Sequence, residues 1–219
     1  MAIAFGAATT GSNLGASDLT FSSPNISGSN TLLVLAVYGV RASAISTPTH
    51  NGDNMTLIST VQSVESNRRL GLYYILNPDT GTNNISISVT ASGSPTNVLA
   101  AASYYTGVKQ QAPEATDSSI ATATSITDSV TTLSDNAWVI GCGAETGGTG
   151  AIAAGTGVTS RGVIGDGSND SSVMLGDSNG PKTPAGSYSM TFTPGSSANL
   201  GIVMAAFAPA VDRRVFNIS

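Results

Sequence analysis

The chain has 219 residues, of which 10% are charged, and a net charge of -5 at pH 7. That length can bury roughly 70% of the unfolded surface without help from disulfides or metals, and the acidic balance excludes a phosphate-backbone affinity built on Lys and Arg, so nucleic acid is not an expected partner. The lone Cys142 excludes an intramolecular disulfide, and no run approaches the ~18 apolar residues of a membrane span.

Residues 1 to 30 alternate weakly and read as edge structure, with Leu19 and Phe21 as the first inward pair and turns at Pro24 and Gly28. Thr31 to Tyr38 is continuously apolar after its first residue, which predicts a central strand buried on both faces. Arg41 to Asn54 is a polar loop with His50 in a turn beside Asn51 and Gly52, where solvent exposure is expected. Met55 to Val64 leads into Arg69 to Thr90, the clearest strand pattern of the chain. There Leu70, Leu72, Tyr74 and Leu76 share one face, and Ile85, Ile87 and Val89 alternate with Ser86, Ser88 and Thr90. With Asn77, Pro78 and Gly81 between them, the two segments read as an antiparallel hairpin.

Val98 to Tyr105 is a second doubly apolar run. Lys109 to Ser134 is rich in Ser, Thr and Ala and reads as a long loop followed by an edge strand. Trp138 to Cys142 is the third central run, with Cys142 as a buried inert thiol. Gly147 to Gly157 is loop or loosely held edge. Three short strands follow at Val158 to Ile164, Ser172 to Leu175 and Tyr188 to Phe192, and Leu200 to Ala208 is the fourth central run.

About ten short strands divided by Gly, Pro and Asn signals predict an all-β fold, an antiparallel two-sheet β-sandwich of jelly-roll type. Residues 1–210 are expected to form a single domain, and no internal repeat is visible. The doubly apolar runs need a cover for their outer face, either the 109–134 loop or a neighbouring subunit. Residues 211–219 break in composition from the body. They read as a frayed tail or as a docking arm in which Arg213, Arg214, Val215, Phe216 and Ile218 bind a partner.

No catalytic constellation emerges. A single histidine leaves only one possible Ser-His-Asp arrangement, and none of Glu65, Glu114 and Glu145 lies in a segment whose neighbours predict a raised pKa. No cofactor is expected. Asp166 and Asp170, with Asp177 beyond, are weak calcium candidates, since hard oxygen ligands lie close in sequence but depart from the twelve-residue helix-flanked loop; a turn rich in Asp and Asn is the alternative.

Asn51 and Gly52 with Met55 to Leu57, Tyr73 to Pro78 with Gly81 and Thr82, and Tyr105 to Val108 with Gln111 and Pro113 resemble β-sandwich domains of bacteriophage virion proteins and bacterial surface proteins. Weaker echoes lie at Ala185 to Tyr188 and Ala205 to Pro209. The resemblance covers about a third of the chain, concerns turns and strands, and implies a structural or adhesive role. Met1 to Thr10 shows no secretory signal. The expectation is therefore a non-enzymatic virion protein, a capsid decoration or minor capsid protein made in the host cytoplasm. Its partners would be the major capsid protein or other virion subunits, and copies of itself in a homo-oligomer. The alternatives are a glycan-binding adhesion module and a self-assembling extracellular filament subunit.

Overall fold

The run Leu32–Val40 is buried at every position, because a sheet lies against each of its two faces. The computed structural model describes residues 1–167 and 170–211, with residues 59–65 described by backbone alone. The first half of the chain supplies β1 (Ala4–Leu14), β2 (Asp18–Ser22), β3 (Leu32–Val40), β4 (Ala42–Ile45), β5 (Thr49–His50), β6 (Asp53–Asn54), β7 (Thr56–Glu65), β8 (Arg68–Leu76), β9 (Asn84–Ala91) and β10 (Asn97–Thr106). The second supplies β11 (Ala115–Ala123), β12 (Ile126–Thr131), β13 (Trp138–Thr146), β14 (Ala153–Ala154), β15 (Thr159–Gly165), β16 (Ser171–Asp177), β17 (Ser187–Thr193) and β18 (Ala198–Phe207).

The fold is all-β and antiparallel, as expected, but the described residues form four sheets in place of two. One five-stranded sheet runs β1-β10-β3-β8-β7 and another runs β11-β18-β13-β16-β15. Outside the first lies β2-β9-β5-β6, with β4 also on β9, and outside the second lies β12-β17-β14. The two halves trace the same path: β1, β10, β3, β8 and β7 correspond in order to β11, β18, β13, β16 and β15, and β2, β9 and β5 to β12, β17 and β14. This repeat is invisible in the sequence because equivalent strands keep alternation and not identity. Ile85, Ile87 and Val89 of β9 stand where β17 has Tyr188, Met190 and Phe192.

Three cores lie between the four layers. Leu33, Leu35 and Val37 of β3 pack with Ile85, Ile87 and Val89 inside the first half, and Val139 of β13 with Met190, Phe192 and Met204 inside the second. The central core joins the halves: Leu32, Val34, Ala36 and Tyr38 meet Ile140, Cys142, Val203 and Phe207. At about 1.5–3 kcal/mol for each fully buried large aliphatic or aromatic side chain, this seam is a dominant source of cohesion. Neither the 109–134 loop nor a neighbouring subunit covers the doubly apolar strands; the other half of the same chain does. Residues 109–134 instead contribute the edge strands β11 and β12.

The segments Arg69 to Leu76 and Asn84 to Thr90 are strands, as their alternation predicts, yet they do not pair. β8 lies between β3 and β7, whereas β9 lies between β2 and β5. The connection through Asn77 and Gly81, both at positive φ, carries the chain from one sheet to the facing one, so that Tyr73 and Ile85 meet across a core. The tight reversal is instead at Asn51 and Gly52, whose φ values of 51° and 92° give a turn whose twist matches the flanking strands β5 and β6. That pairing takes His50 out of solvent. It lies opposite Ile85, so its side chain falls on the inner face of the outer sheet and is buried.

Candidate functional site

The seam between the halves closes at one end on a polar network among apolar neighbours. Tyr105, on β10, donates from its hydroxyl to Asp177 Oδ2 at 2.9 Å. Ser103, two residues earlier on the same face, donates to the Tyr105 oxygen at 3.1 Å. Arg161 approaches Asp177 side-on, with Nε 2.7 Å from Oδ2 and Nη2 2.9 Å from Oδ1. The backbone N–H of Asn179 donates to Oδ1 at 2.8 Å. Arg161 is the extra residue of a bulge in β15, between Ser160 and Gly162, and such a bulge re-aims a side chain. Its guanidinium also lies 4.0 Å from the centre of the Phe5 ring.

These groups tie the two halves together electrostatically. Asp177 is fully buried, so its charge requires the fork-like Arg161 partner and the additional donors. Burial raises the Tyr105 hydroxyl well above its usual pKa, and the nearby Asp177 charge raises it further. Tyr105 is therefore a fixed hydrogen-bond donor. Its ring meets Phe5 on one side and Trp138 on the other, both edge-on at 5.9 Å.

Trp138 carries the network to a surface pocket of about 590 Å³, whose walls include Met1, Ile3, Asn136, Trp138, Pro181 and Pro209. The pocket is framed by both ends of the described chain. The Met1 ammonium donates to the Ala210 carbonyl at 2.8 Å, and the Ala210 N–H donates to the Gly107 carbonyl at 2.8 Å. Trp138 is 7% exposed, and its Nε1 has no hydrogen-bond partner among the described residues. The pocket is thus walled largely by apolar side chains, while the Trp138 Nε1 is shielded from solvent.

The calcium candidates do not converge. Asp166 and Asp170 flank the β15–β16 connection, while Asp177 ends β16, about 20 Å away along an extended strand, with both oxygens engaged in the seam. Among the described residues no three His, Cys, Asp or Glu side chains cluster as metal ligands. Arg213, Arg214, Val215, Phe216 and Ile218 lie outside the described residues. The Tyr105–Asp177–Arg161 network was missed because its members come from three strands whose adjacency only the fold reveals. The available signal was a lone Asp ending the apolar run Val173 to Gly176, which demands a buried cation. Glu145 was also missed: it is fully buried, although its strand neighbours Gly143 and Ala144 are small.

A shallower depression of about 270 Å³ lies on the outer face of the first half, lined by Asp18, Thr20, Thr47, Thr49, Ser86 and Ser88. Both outer sheets present hydroxyl pairs between strands there, Thr20 with Ser86 in the first half, and Thr127 with Thr191 and Ser129 with Ser189 in the second.

No protein-family model matches the chain, and no curated protein matches it. Among solved structures it is similar to the major capsid protein P2 from bacteriophage PM2, at 8% identity over 94% of this chain and 99% of that one, with a TM-score of 0.29. It is also similar to a structure from Sulfolobus Turreted Icosahedral Virus, at 12% identity over 92% of this chain and 61% of that one, with a TM-score of 0.26. Both scores fall below those of a shared fold.

Proposed function

We propose that this chain is a non-catalytic structural subunit of a virus particle, a capsid decoration or minor capsid protein of a phage that acts alongside the major shell protein and other copies of itself. The observation that carries this reading is the doubled sheet path. In each half four strands that follow the same path, β1-β10-β3-β8 and β11-β18-β13-β16, face a sheet built on β2-β9 or β12-β17. That arrangement supports reading each half as jelly-roll-like, an architecture found in viral capsid domains, lectins and cupins. A cupin holds its chemistry inside the barrel, whereas here the interior of each half is filled by apolar side chains such as Leu35, Val37, Met190 and Phe192. Two such units joined through a packed seam make a rigid block with four layers. A block of this kind works by burying surface against neighbours, stabilising an assembly by mass action.

A glycan-binding module is the second reading, favoured by the hydroxyl-lined depression at Thr20, Thr49 and Ser86. Its lining contains no aromatic ring on which a sugar could stack, so it ranks behind the shell reading. The two are separated by mixing the purified chain with shells of the virus that encodes it. Binding at a fixed copy number, with a rise in the temperature at which the shells release their contents, is the expected result. Retention on a glycan array, lost on Thr49→Ala and Ser86→Ala and accompanied by no shell binding, would replace it with the second reading.

A further inference from the structure

His50 is the chain's only histidine, and it is held where a second proton is poorly accommodated. Its side chain is 1% exposed, it lies opposite Ile85 of β9, and its Nε2 has no hydrogen-bond partner among the described residues. An imidazolium in that place would be a buried charge without an acceptor, which is costly. Burial accordingly holds the His50 pKa below 6.5 against the opposing pull of Asp79 and Asp53. Both carboxylates are exposed: Asp53 stands opposite His50 on β6, and Asp79 accepts from Asn51 Nδ2 at 2.7 Å. Tyr73, in the core under this sheet, keeps its proton, its pKa pushed up to about 12 by burial. Asp18 of β2 pairs with Ser88, farther along β9, and no Lys or Arg occurs in β2, β4, β5, β6, β9 or the 77–83 connection. The charges that attract an imidazolium from these elements therefore draw it outward.

The hairpin that carries His50 is also lightly held. β5 and β6 are two residues each, and β6 is the edge of its sheet. The hairpin rests on β9 through the pairs Thr49–Ser86 and His50–Ile85 and through the Asn51 N–H, which donates to the Asn84 carbonyl at 2.9 Å. The ladder between β3 and β8, by contrast, runs over nine positions. We propose that the β5–β6 hairpin is an acid-released latch: protonation of His50 frees residues 49–54 from β9 and opens the core beside Ile85 and Met55, while the rest of the fold stays closed. Opening lets the imidazolium reach water, Asp53 and Asp79, and few backbone bonds are lost with it, so the response is local. The second half supplies a built-in comparison. Its β14 is equally short and rests on β17 through Ala153 and Ala154, neither of which titrates. The latch is a property of the isolated chain and does not rest on the shell reading.

Amide hydrogen exchange of the full chain between pH 7.5 and 5, corrected for the intrinsic pH dependence of exchange, tests the proposal. Peptides covering residues 49–55 should exchange faster as pH falls below 6.5, by up to about tenfold per pH unit, the slope of one proton. Peptides from β3, β8 and β14 should hold their rates. In His50→Leu, residues 49–55 should stay slow across the whole range. Because the chain has one histidine, its Cε1–H resonance reports the same event without assignment, and its midpoint should lie below 6.5. Rates at 49–55 that ignore pH, that respond equally in His50→Leu, or that rise together with those of β3 and β8 would overturn the inference. So would an imidazole midpoint at or above 6.5. The parent's own rates decide the matter even where the variant fails to fold.

Discussion

Tyr105 and Asp177, 72 residues apart in sequence, share a hydrogen bond of 2.9 Å across the seam that joins the two halves. The bond ends a buried chain from Ser103 through Tyr105 and Asp177 to Arg161, and its members differ in what their loss leaves behind. Arg161→Met would strand a fully buried carboxylate and should cost about 3–5 kcal/mol. Tyr105→Phe leaves Asp177 its arginine and the Asn179 N–H, and should cost about 1–3 kcal/mol, mostly through the unsatisfied Ser103 hydroxyl. Urea titration of the two single variants and the double variant checks this. The double variant should lose less than the sum, and strict additivity would show that the four groups do not act as a unit.

The parts of this arrangement differ in how well local sequence reports them. Strand positions were legible because period-two alternation is a local property: Ile85, Ile87 and Val89 point inward in whichever sheet they join. Pairing was not legible. The stretch from Asn77 to Gly81 has the composition of a turn whether it folds back in one sheet or crosses to the facing one, and only the competition between β3 and β9 for β8 decides. The doubly apolar runs did announce that a cover was needed. Their sequence could not say that residues 115–207 would provide it, since a partner sheet in the same chain and one in another present the same apolar face. For the candidate site, Trp138 reads as core from its neighbours, and its pocket arises only where residues 1–3, 136–138, 181 and 209–211 meet.

Gly143 explains how the outer sheet of the second half closes. A Cβ added there would lie 2.5 Å from Cγ of Phe192 and 2.7 Å from its Cδ1, distances that a buried ring in a packed core cannot relieve by a small shift. Gly143→Ala should therefore destabilise the chain by about 1–3 kcal/mol. Thermal melting should show the loss, and in a Phe192→Ala background, which removes the Cγ and Cδ1 that face the new methyl group, Gly143→Ala should cost less. A melting temperature unchanged by Gly143→Ala would mean that β17 does not seat as described.

Glu145 should make the fold more stable in mild acid than its carboxylates otherwise allow. Burial raises its pKa above 4.5; the Ser172 hydroxyl and the Gly148 N–H pull it down, and the charges of Asp170 and Asp166 raise it again. Below 4.5 both folded and unfolded chains hold the proton, and the contribution is complete. As pH rises, the unfolded chain releases its proton first, so stability falls until the folded pKa is passed. Glu145→Gln removes the titration while keeping both partners: the amide oxygen can accept from Gly148 and the amide N–H can donate to Ser172. The difference in unfolding free energy between variant and parent should grow in the variant's favour from pH 4 upward and then level. A difference independent of pH would show that Glu145 titrates as an exposed carboxyl.

His50 should impose the opposite slope in a higher window. Its side chain is buried opposite Ile85, and burial lowers its pKa below 6.5, an effect that Asp79 and Asp53 only partly offset. Above 6.5 neither state is protonated, and the contribution is complete. As pH falls, the unfolded chain takes up a proton that the folded chain resists, so stability declines until the folded pKa is reached. His50→Leu should flatten this decline. At pH 8 the variant should be as stable as the parent or more so, because Nε2 has no partner among the described residues to lose and an unpaired buried polar atom gives way to apolar packing. Chemical denaturation at pH 8, 6.5 and 5 should show a gap that widens in the variant's favour as pH falls. Parallel losses in parent and variant across that range would show that the imidazole remains open to water in the folded chain.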